Sequence, residues 1–276
     1  MYKNCVINDD CFNVLPKIED KSIDMILCDL PYGILNKKAK WDKTLDLDTL
    51  WAEYKRIIKD NGVIVLFAQT PFDKVLGFSN IEMLKYEWIW EKSQATGFLN
   101  SKKMPLKSHE NILVFYKKQP VYNPIKTTGH LPMHSYTKKP DIQNKTELYG
   151  SMNKTISGGG DTDRFPRTVL KFPSDKQRNK LDGTIHPTQK PLLLCEYLIK
   201  TYTNEGDIVL DNTAGSFTTI IASINTNRNF IGIEIDFRWF DVLSKRLSKI
   251  NHRYDIIDKG VYKVSKLDTN ILRPNE

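Results

Sequence analysis

Along the 276-residue chain, apolar residues fall into short near-continuous runs separated by stretches of helical periodicity. "NCVIN" (Asn4 to Asn8) and "IDMILCD" (Ile23 to Asp29) read as strands around a short helix-like piece from Phe12 to Ile18. Leu47, Leu50, Trp51, Tyr54 and Ile58 recur at spacings of three and four, which predicts an amphipathic helix. "KDNG" (Lys59 to Gly62) is expected to stop it, with Gly62 as C-cap. "VIVLFA" (Val63 to Ala68) is the β-branched run of a parallel strand covered on both faces, and "YEWIW" and "NILVFY" read as two further strands. Between about Gln119 and Ile185 prolines, glycines and lysines break every periodic window. Order returns at "HPTQKP" (His186 to Pro191), where Thr188 can cap a helix with the stripe Leu192, Cys195, Ile199 and Tyr202. "DIVLDN" and "NFIGIEID" are two more parallel-type strands around a helix that starts near Ser216. A last helix carries Phe240, Leu243, Leu247 and Ile250. Strands alternating with helices predict an α/β doubly wound sheet.

The irregular middle stretch changes that picture. Interleaved aromatics (Tyr122, Tyr136, Tyr149, Phe165, Phe172) favour a partly ordered insertion over a disordered linker. The expected organisation is therefore 1–118 and 186–276 as two halves of one domain, with 119–185 inserted between them. Charge concentrates in the same region. Sixteen Lys and Arg face six acids between Ser101 and Lys180, whereas the rest of the chain is close to neutral, within a net charge of +8. A basic segment on a neutral body suits a polyanion, or is simply a solvated lysine-rich surface. No apolar run approaches a membrane span, and the opening residues form no signal peptide. Cys5, Cys11, Cys28 and Cys195 lack paired spacing and sit in apolar stretches, as expected of buried thiols in a reducing, cytoplasmic setting, with no metal.

Two motifs carry chemistry. "DNTAGSFTT" (Asp211 to Thr219) joins a strand to a helix, where small residues let a ligand approach the backbone at a strand's carboxyl end. Glu234, at the end of the next strand, is placed to accept hydrogen bonds from ribose hydroxyls. Together they indicate a nucleoside-bearing cofactor. The glycine patterns of dinucleotide and ATP sites are absent. The second motif is "CDLPYG" (Cys28 to Gly33), in which an acid and an aromatic follow a buried strand.

Asp-Leu-Pro-Tyr at 29–32, His-Pro-Thr-Gln-Lys-Pro at 186–191 and "LDNTAGSFTT…NRNFIGIE" at 210–234 resemble the β-group DNA amino-methyltransferases, and closely resemble phage-type adenine-N6 members. The resemblance spans roughly Val6 to Ile250. It implies a Rossmann-like, mostly parallel seven-stranded sheet in the permuted methyltransferase order, with an inserted target-recognition region. The implied reaction is methyl transfer from S-adenosylmethionine to the amino nitrogen of a flipped-out adenine in double-stranded DNA. Implied partners are a cognate restriction endonuclease and a second copy of the chain in a homodimer.

Carried over by position, the family implies catalytic roles for Asp29, Leu30, Pro31 and Tyr32. Asp29 and the Leu30 carbonyl would accept the two amino hydrogens, freeing the nitrogen lone pair. Pro31 restricts Leu30 to extended geometry, and Tyr32 offers a stacking face. Asp10 would contact the cofactor's adenine, Glu234 its ribose, and Asp211, Gly215, Ser216, Thr218 and Thr219 its methionine part. His186, Thr188 and Lys190 would complete that pocket. Lys102, Lys103 and Lys107 would hold phosphate, while Arg164, Arg167, Gln177 and Arg178 are candidates for base edges. His109 and Glu110 are assigned a structural role, holding "NILVFY" in place.

Two departures from the family pattern matter. Leu30 replaces a usual proline, where only a carbonyl is required. Phe217 replaces a usual glycine, so its ring is expected near the cofactor, strained if the position needs φ > 0. Phe217→Gly is accordingly expected to leave activity unchanged or raise it. Cytosine-N4 transfer, and a catalytically weak or dead DNA-binding relative, are the alternatives; methylation of RNA or protein is a further one.

Overall fold

The computed structural model describes residues 2–33, 42–138, 141–146, 150–152, 155–175, 189–247, 254–258 and 261–264. Two compact units result: Met1–Asn123 with Thr168–Glu276, and Pro124–Arg167. The second is narrower than the expected 119–185. It contains the short antiparallel pairs β6 (Tyr136–Lys138) with β9 (Ile156–Gly158), and β7 (Asp141–Thr146) with β8 (Gly150–Met152).

The first unit is built on one sheet. Its seven expected strands are β1 (Cys5–Asn8), β2 (Ile23–Asp29), β3 (Ile58–Ala68), β4 (Leu84–Thr96), β5 (Lys107–Phe115), β11 (Ile208–Asp211) and β12 (Asn229–Glu234). They lie in the order β4-β5-β3-β2-β11-β12-β1, and β5 alone among them runs antiparallel to its neighbours. Three strands beyond the expected seven bring the sheet to ten. β10 (Val169–Phe172) pairs parallel with β4 at one edge, and β13 (Asp255–Asp258) and β14 (Val261–Val264) extend the other.

Alternation along the central strands sends apolar residues to both faces, as a sheet covered on both sides requires. Ile26, Cys28, Ile64 and Leu66 pack with α1 (Cys11–Val14), α2 (Leu47–Ile57) and α3 (Phe72–Ser79). Met25, Leu27, Val63, Val65 and Val209 pack with α4 (Leu192–Tyr202). A third cluster joins Val6 and Phe230 to α5 (Thr218–Asn225) and to Phe240 and Leu247 of α6 (Phe237–Leu247). All four cysteines are buried thiols. No helix among the described residues is long and apolar enough to cross a membrane.

Two expectations about element ends are corrected. Helix α2 stops at Ile57, and β3 begins at once with Ile58, so Lys59–Gly62 belongs to the strand. Gly62 is there for space: a Cβ would fall 2.9 Å from the Asp24 carbonyl and 2.8 Å from the Ile58 side chain. Helix α4 has Pro191 at its N-cap, with the Leu192 amide donating to the Asp175 carboxylate at 3.1 Å. Thr188, the expected cap, lies outside the described residues.

Candidate active site

Strand β2 ends at the acid of the corner motif. Leu30 beneath it is buried, and Gly33 turns the chain away at φ 68°, its amide on Asp42 Oδ1 at 2.9 Å. The Tyr32 hydroxyl donates to Asp29 Oδ1 at 2.7 Å, and its ring stacks on Phe72 with centroids 5.3 Å apart. Lys190 Nζ donates to Asp29 Oδ2 at 2.5 Å. The Asp29 side chain keeps 27% of its exposure, whereas that of Lys190 keeps 9%.

Lys190 reaches a second acid. Glu110 Oε2, on β5, lies 3.4 Å from the ammonium, and Lys92 Nζ of β4 sits 2.6 Å from Glu110 Oε1. Burial pushes the Asp29 carboxyl up, Lys190 pulls it down, and Glu110 adds to the rise; the direction overall is upward. Glu110 is held below the usual carboxylate range, because Lys190 and Lys92 outweigh its burial. The same two acids hold Lys190 protonated, above the ordinary lysine value.

The glycine turn stands on the neighbouring strand. Strands β2 and β11 pair in parallel, Val209 opposite Met25 and Leu210 opposite Ile26, so both chains leave the sheet at the same end. There Thr213 Oγ1 donates to the Asp29 carbonyl at 3.2 Å, joining motifs 184 residues apart. Thr219 Oγ1 makes a longer contact, 3.5 Å, to the Leu27 carbonyl. Asp211 is 4% exposed, accepts from the Thr213 amide at 3.1 Å, and is pushed up to about 7 by burial. Gly215, at φ 44°, donates its amide to Glu234 Oε2 at 2.8 Å, while Oε1 accepts from the Asp236 amide. Neither Asp211 nor Glu234 has a cationic partner among the described residues. Ser216 and Thr218 share a 2.8 Å hydroxyl contact and are buried with Thr219. Asp10 follows β1 and caps α1 through the Phe12 amide, one strand beyond Glu234, since Asn8 is paired with Glu234 in register.

Several expected residues lie elsewhere. Lys190 sits on the corner carboxylate, a different place from the cofactor pocket expected for it. Glu110 belongs to that ionic group, so its position is more than the strand support assigned to it; His109 is exposed. Arg164 donates to the carbonyls of Asp161, Asp163 and Leu131 at 2.9, 2.8 and 2.5 Å, contacts that tie part of its guanidinium to its own unit. Arg167, Lys102, Lys103 and Lys107 are exposed, with Lys107 Nζ 3.1 Å from Gln69 Oε1. Gln177, Arg178, His186 and Thr188 lie outside the described residues.

Phe217 does adopt the left-handed region, at φ 55°. Its ring, however, is 0% exposed and edge-on to Phe240 within the third cluster. The aromatic is a core residue, which corrects the expectation of a ring crowding the ligand.

A buried polar set that sequence reasoning missed lies under the junction. Cys28 Sγ donates to Asn212 Oδ1 at 2.9 Å, and the Tyr54 hydroxyl donates to the same oxygen. The sequence signal was an asparagine directly following an apolar strand's terminal acid.

Known proteins place this arrangement. The DNA methylase family profile matches residues 23–245. The DNA adenine methyltransferase YhdJ of Escherichia coli (strain K12) is 30% identical over 90% of this chain and 83% of its own length. The Type II methyltransferase M.HpaI of Haemophilus parainfluenzae is 29% identical over 92% of this chain and 77% of its own. Among solved structures, the M1.HpyAVI–SAM complex is similar with a TM-score of 0.56 and 25% identity, covering 88% of this chain and 99% of that one.

Proposed function

The chain belongs to the DNA methylase family, and from that membership we propose that it methylates the exocyclic amino nitrogen (N6) of an adenine flipped out of double-stranded DNA. S-adenosylmethionine is its methyl donor. The observation that carries the reading is the junction of Asp29 with the glycine turn through Thr213, at adjacent strand ends. Likeness to an adenine methyltransferase at 30% identity supports adenine as the base.

The residues of the turn fit such a donor. Asp211 and Glu234 are buried carboxylates without a cation among the described residues, and burial raises both. A ligand bearing an ammonium group and ribose hydroxyls satisfies that pair. Asp211 with Ser216, Thr218 and Thr219 would hold its methionine part, Glu234 its ribose and Asp10 its base. When bound, it supplies an electrophilic methyl carbon attached to a sulfonium.

The corner prepares the nucleophile. An adenine amino group delocalises its lone pair into the ring and attacks poorly. Asp29 and the Leu30 carbonyl accept its two hydrogens, which favours a tetrahedral nitrogen with the lone pair directed outward. The bound donor would supply the methyl carbon together with a sulfur able to leave as a neutral thioether, and Asp29, which holds one amino hydrogen, would take the proton the methylated nitrogen gives up. Alignment of the two partners supplies much of the rate. Flipping the base costs a few kcal/mol, which DNA contacts must offset. Lys102, Lys103 and Lys107 would serve as phosphate contacts and the unit Pro124–Arg167 as the target reader. The Type II designation of M.HpaI supports a cognate endonuclease as partner.

Modified-base sequencing of DNA from methylation-deficient cells expressing the chain tests the reading. N6-methyladenine in one sequence context is expected, and none in cells expressing a folded Asp29→Ala variant. N4-methylcytosine, or no modification by the unaltered chain, overturns it.

A further inference from the structure

We propose that Lys190 is a shuttling cation, seated on Asp29 while the corner is empty and drawn to Glu110 when a base's amino group takes its place. The inference rests on the methyl-transfer reading above. It begins from occupancy: Asp29 already accepts from Tyr32 on Oδ1 and from Lys190 on Oδ2. An incoming amino group needs one of those oxygens. Charge points the same way. The attacking nitrogen gains positive charge as it takes the methyl group, and an ammonium left on the same carboxylate opposes that gain.

The structure supplies the second seat. Glu110 Oε2 is buried, receives no hydrogen bond from the described residues, and lies 3.4 Å from Lys190 Nζ. Lys92 fixes the other oxygen at 2.6 Å, so the acid stays in place while the lysine moves. The rings of Tyr32 and Phe67 stand 5.7 and 5.3 Å from the ammonium, offering it aromatic faces. A compact ammonium on a flexible stem suits a short displacement better than a guanidinium fork would. Lys190 is thus a positioning residue: it keeps Asp29 ionised before the base arrives and withdraws its charge afterwards. Among the described residues, the charged and titratable groups around Asp29 are Lys190, Tyr32, Glu110 on β5, Asp211 on β11 and Cys195 on α4, with Lys92 of β4 behind Glu110.

Glu110→Gln removes the second seat's charge and tests the shuttle. Single-turnover methylation is measured against pH on a duplex carrying the site found by modified-base sequencing. The plateau rate is expected to fall at least tenfold with little change in DNA affinity. The acid limb should move to lower pH, because Lys190 then pairs with Asp29 alone. Glu110→Asp, which keeps the charge, should recover part of the rate. An unchanged plateau, or a limb that stays in place or moves upward, overturns the proposal. If Glu110→Gln does not fold, a crystal structure of the unaltered chain with that duplex and S-adenosylhomocysteine decides. Lys190 Nζ is expected nearer Glu110 than Asp29; an ammonium still on Asp29 beside a seated base refutes the shuttle. An unaltered chain that methylates nothing counts against the methyl-transfer reading instead.

Discussion

Replacing Phe217 sets two effects against each other, and the structure says which wins. Its backbone sits at φ 55°, where a side chain costs about 1–2 kcal/mol that glycine does not pay. Its ring is fully buried against Phe240, Ile220 and Phe230. Truncating such a ring costs about 3–5 kcal/mol in lost burial and residual cavity. Phe217→Gly should therefore destabilise the fold by about 1–4 kcal/mol, the ring loss less the backbone relief. Phe217→Ala loses the same ring without the relief, so it should be less stable than the glycine variant by about 1 kcal/mol. Urea unfolding followed by tryptophan fluorescence measures both differences, provided the slopes agree among variants. A glycine variant as stable as the parent would mean that the ring contributes nothing to the core. An alanine variant equal to or better than glycine would mean that the left-handed backbone carries no strain.

The buried Asp211 makes the cofactor-free fold pH-dependent. Its folded value of about 7 lies above the unfolded carboxylate value, so its contribution is fully present below about pH 4 and is lost as pH rises through 7. The loss amounts to about 4 kcal/mol at most, and Asp211→Asn should flatten the fall in melting temperature between pH 5 and pH 8.5; an unaltered fall would reject the assignment. Methyl-donor affinity measured by calorimetry should also weaken below pH 7 in the parent and not in that variant. Replacing Lys102, Lys103 and Lys107 together by alanine should weaken DNA binding and reduce its log–log salt slope by up to about 2.7, three phosphate contacts' worth. An unchanged slope in a filter-binding titration would place the phosphates elsewhere.

The parts of the fold that were legible in the chain are those where burial dictates residue type. Strands β2, β3, β11 and β12 are covered on both faces, and their unbroken apolar runs announce it. Edge strands carry no such mark. "VLKF" of β10 alternates exposed and buried residues and ends directly before Pro173, and "DIID" of β13 is mostly polar at its ends. The boundary at Ile58 escaped notice because a Lys-Asp-Asn-Gly run ordinarily ends a helix, whereas here the strand has already begun. The corner and the glycine turn stood out as motifs because an acid, an aromatic and small residues at strand ends are not what a plain turn needs, and the sheet brings the two together. The ionic group around them was not, since Lys190 and Asp29 lie 161 residues apart and only the sheet brings them together. Phe217 misled for a related reason: a departure from a pattern shows that something changed, but not into which side of the turn the new ring packs.

The strand order also governs when the molecule becomes whole. β1, the first of the described strands in chain order, is flanked by β12 and β13, which come much later in the sequence. β2 likewise waits for β11 before its inner edge is paired. Such remote closures are slow, because chain entropy is lost long before the contacts that reward it are made. A ribosome-bound chain lacking the last strands would expose that unpaired edge and have no completed cleft. Assembly of the junction therefore waits until the segment carrying β11 and β12 has been made.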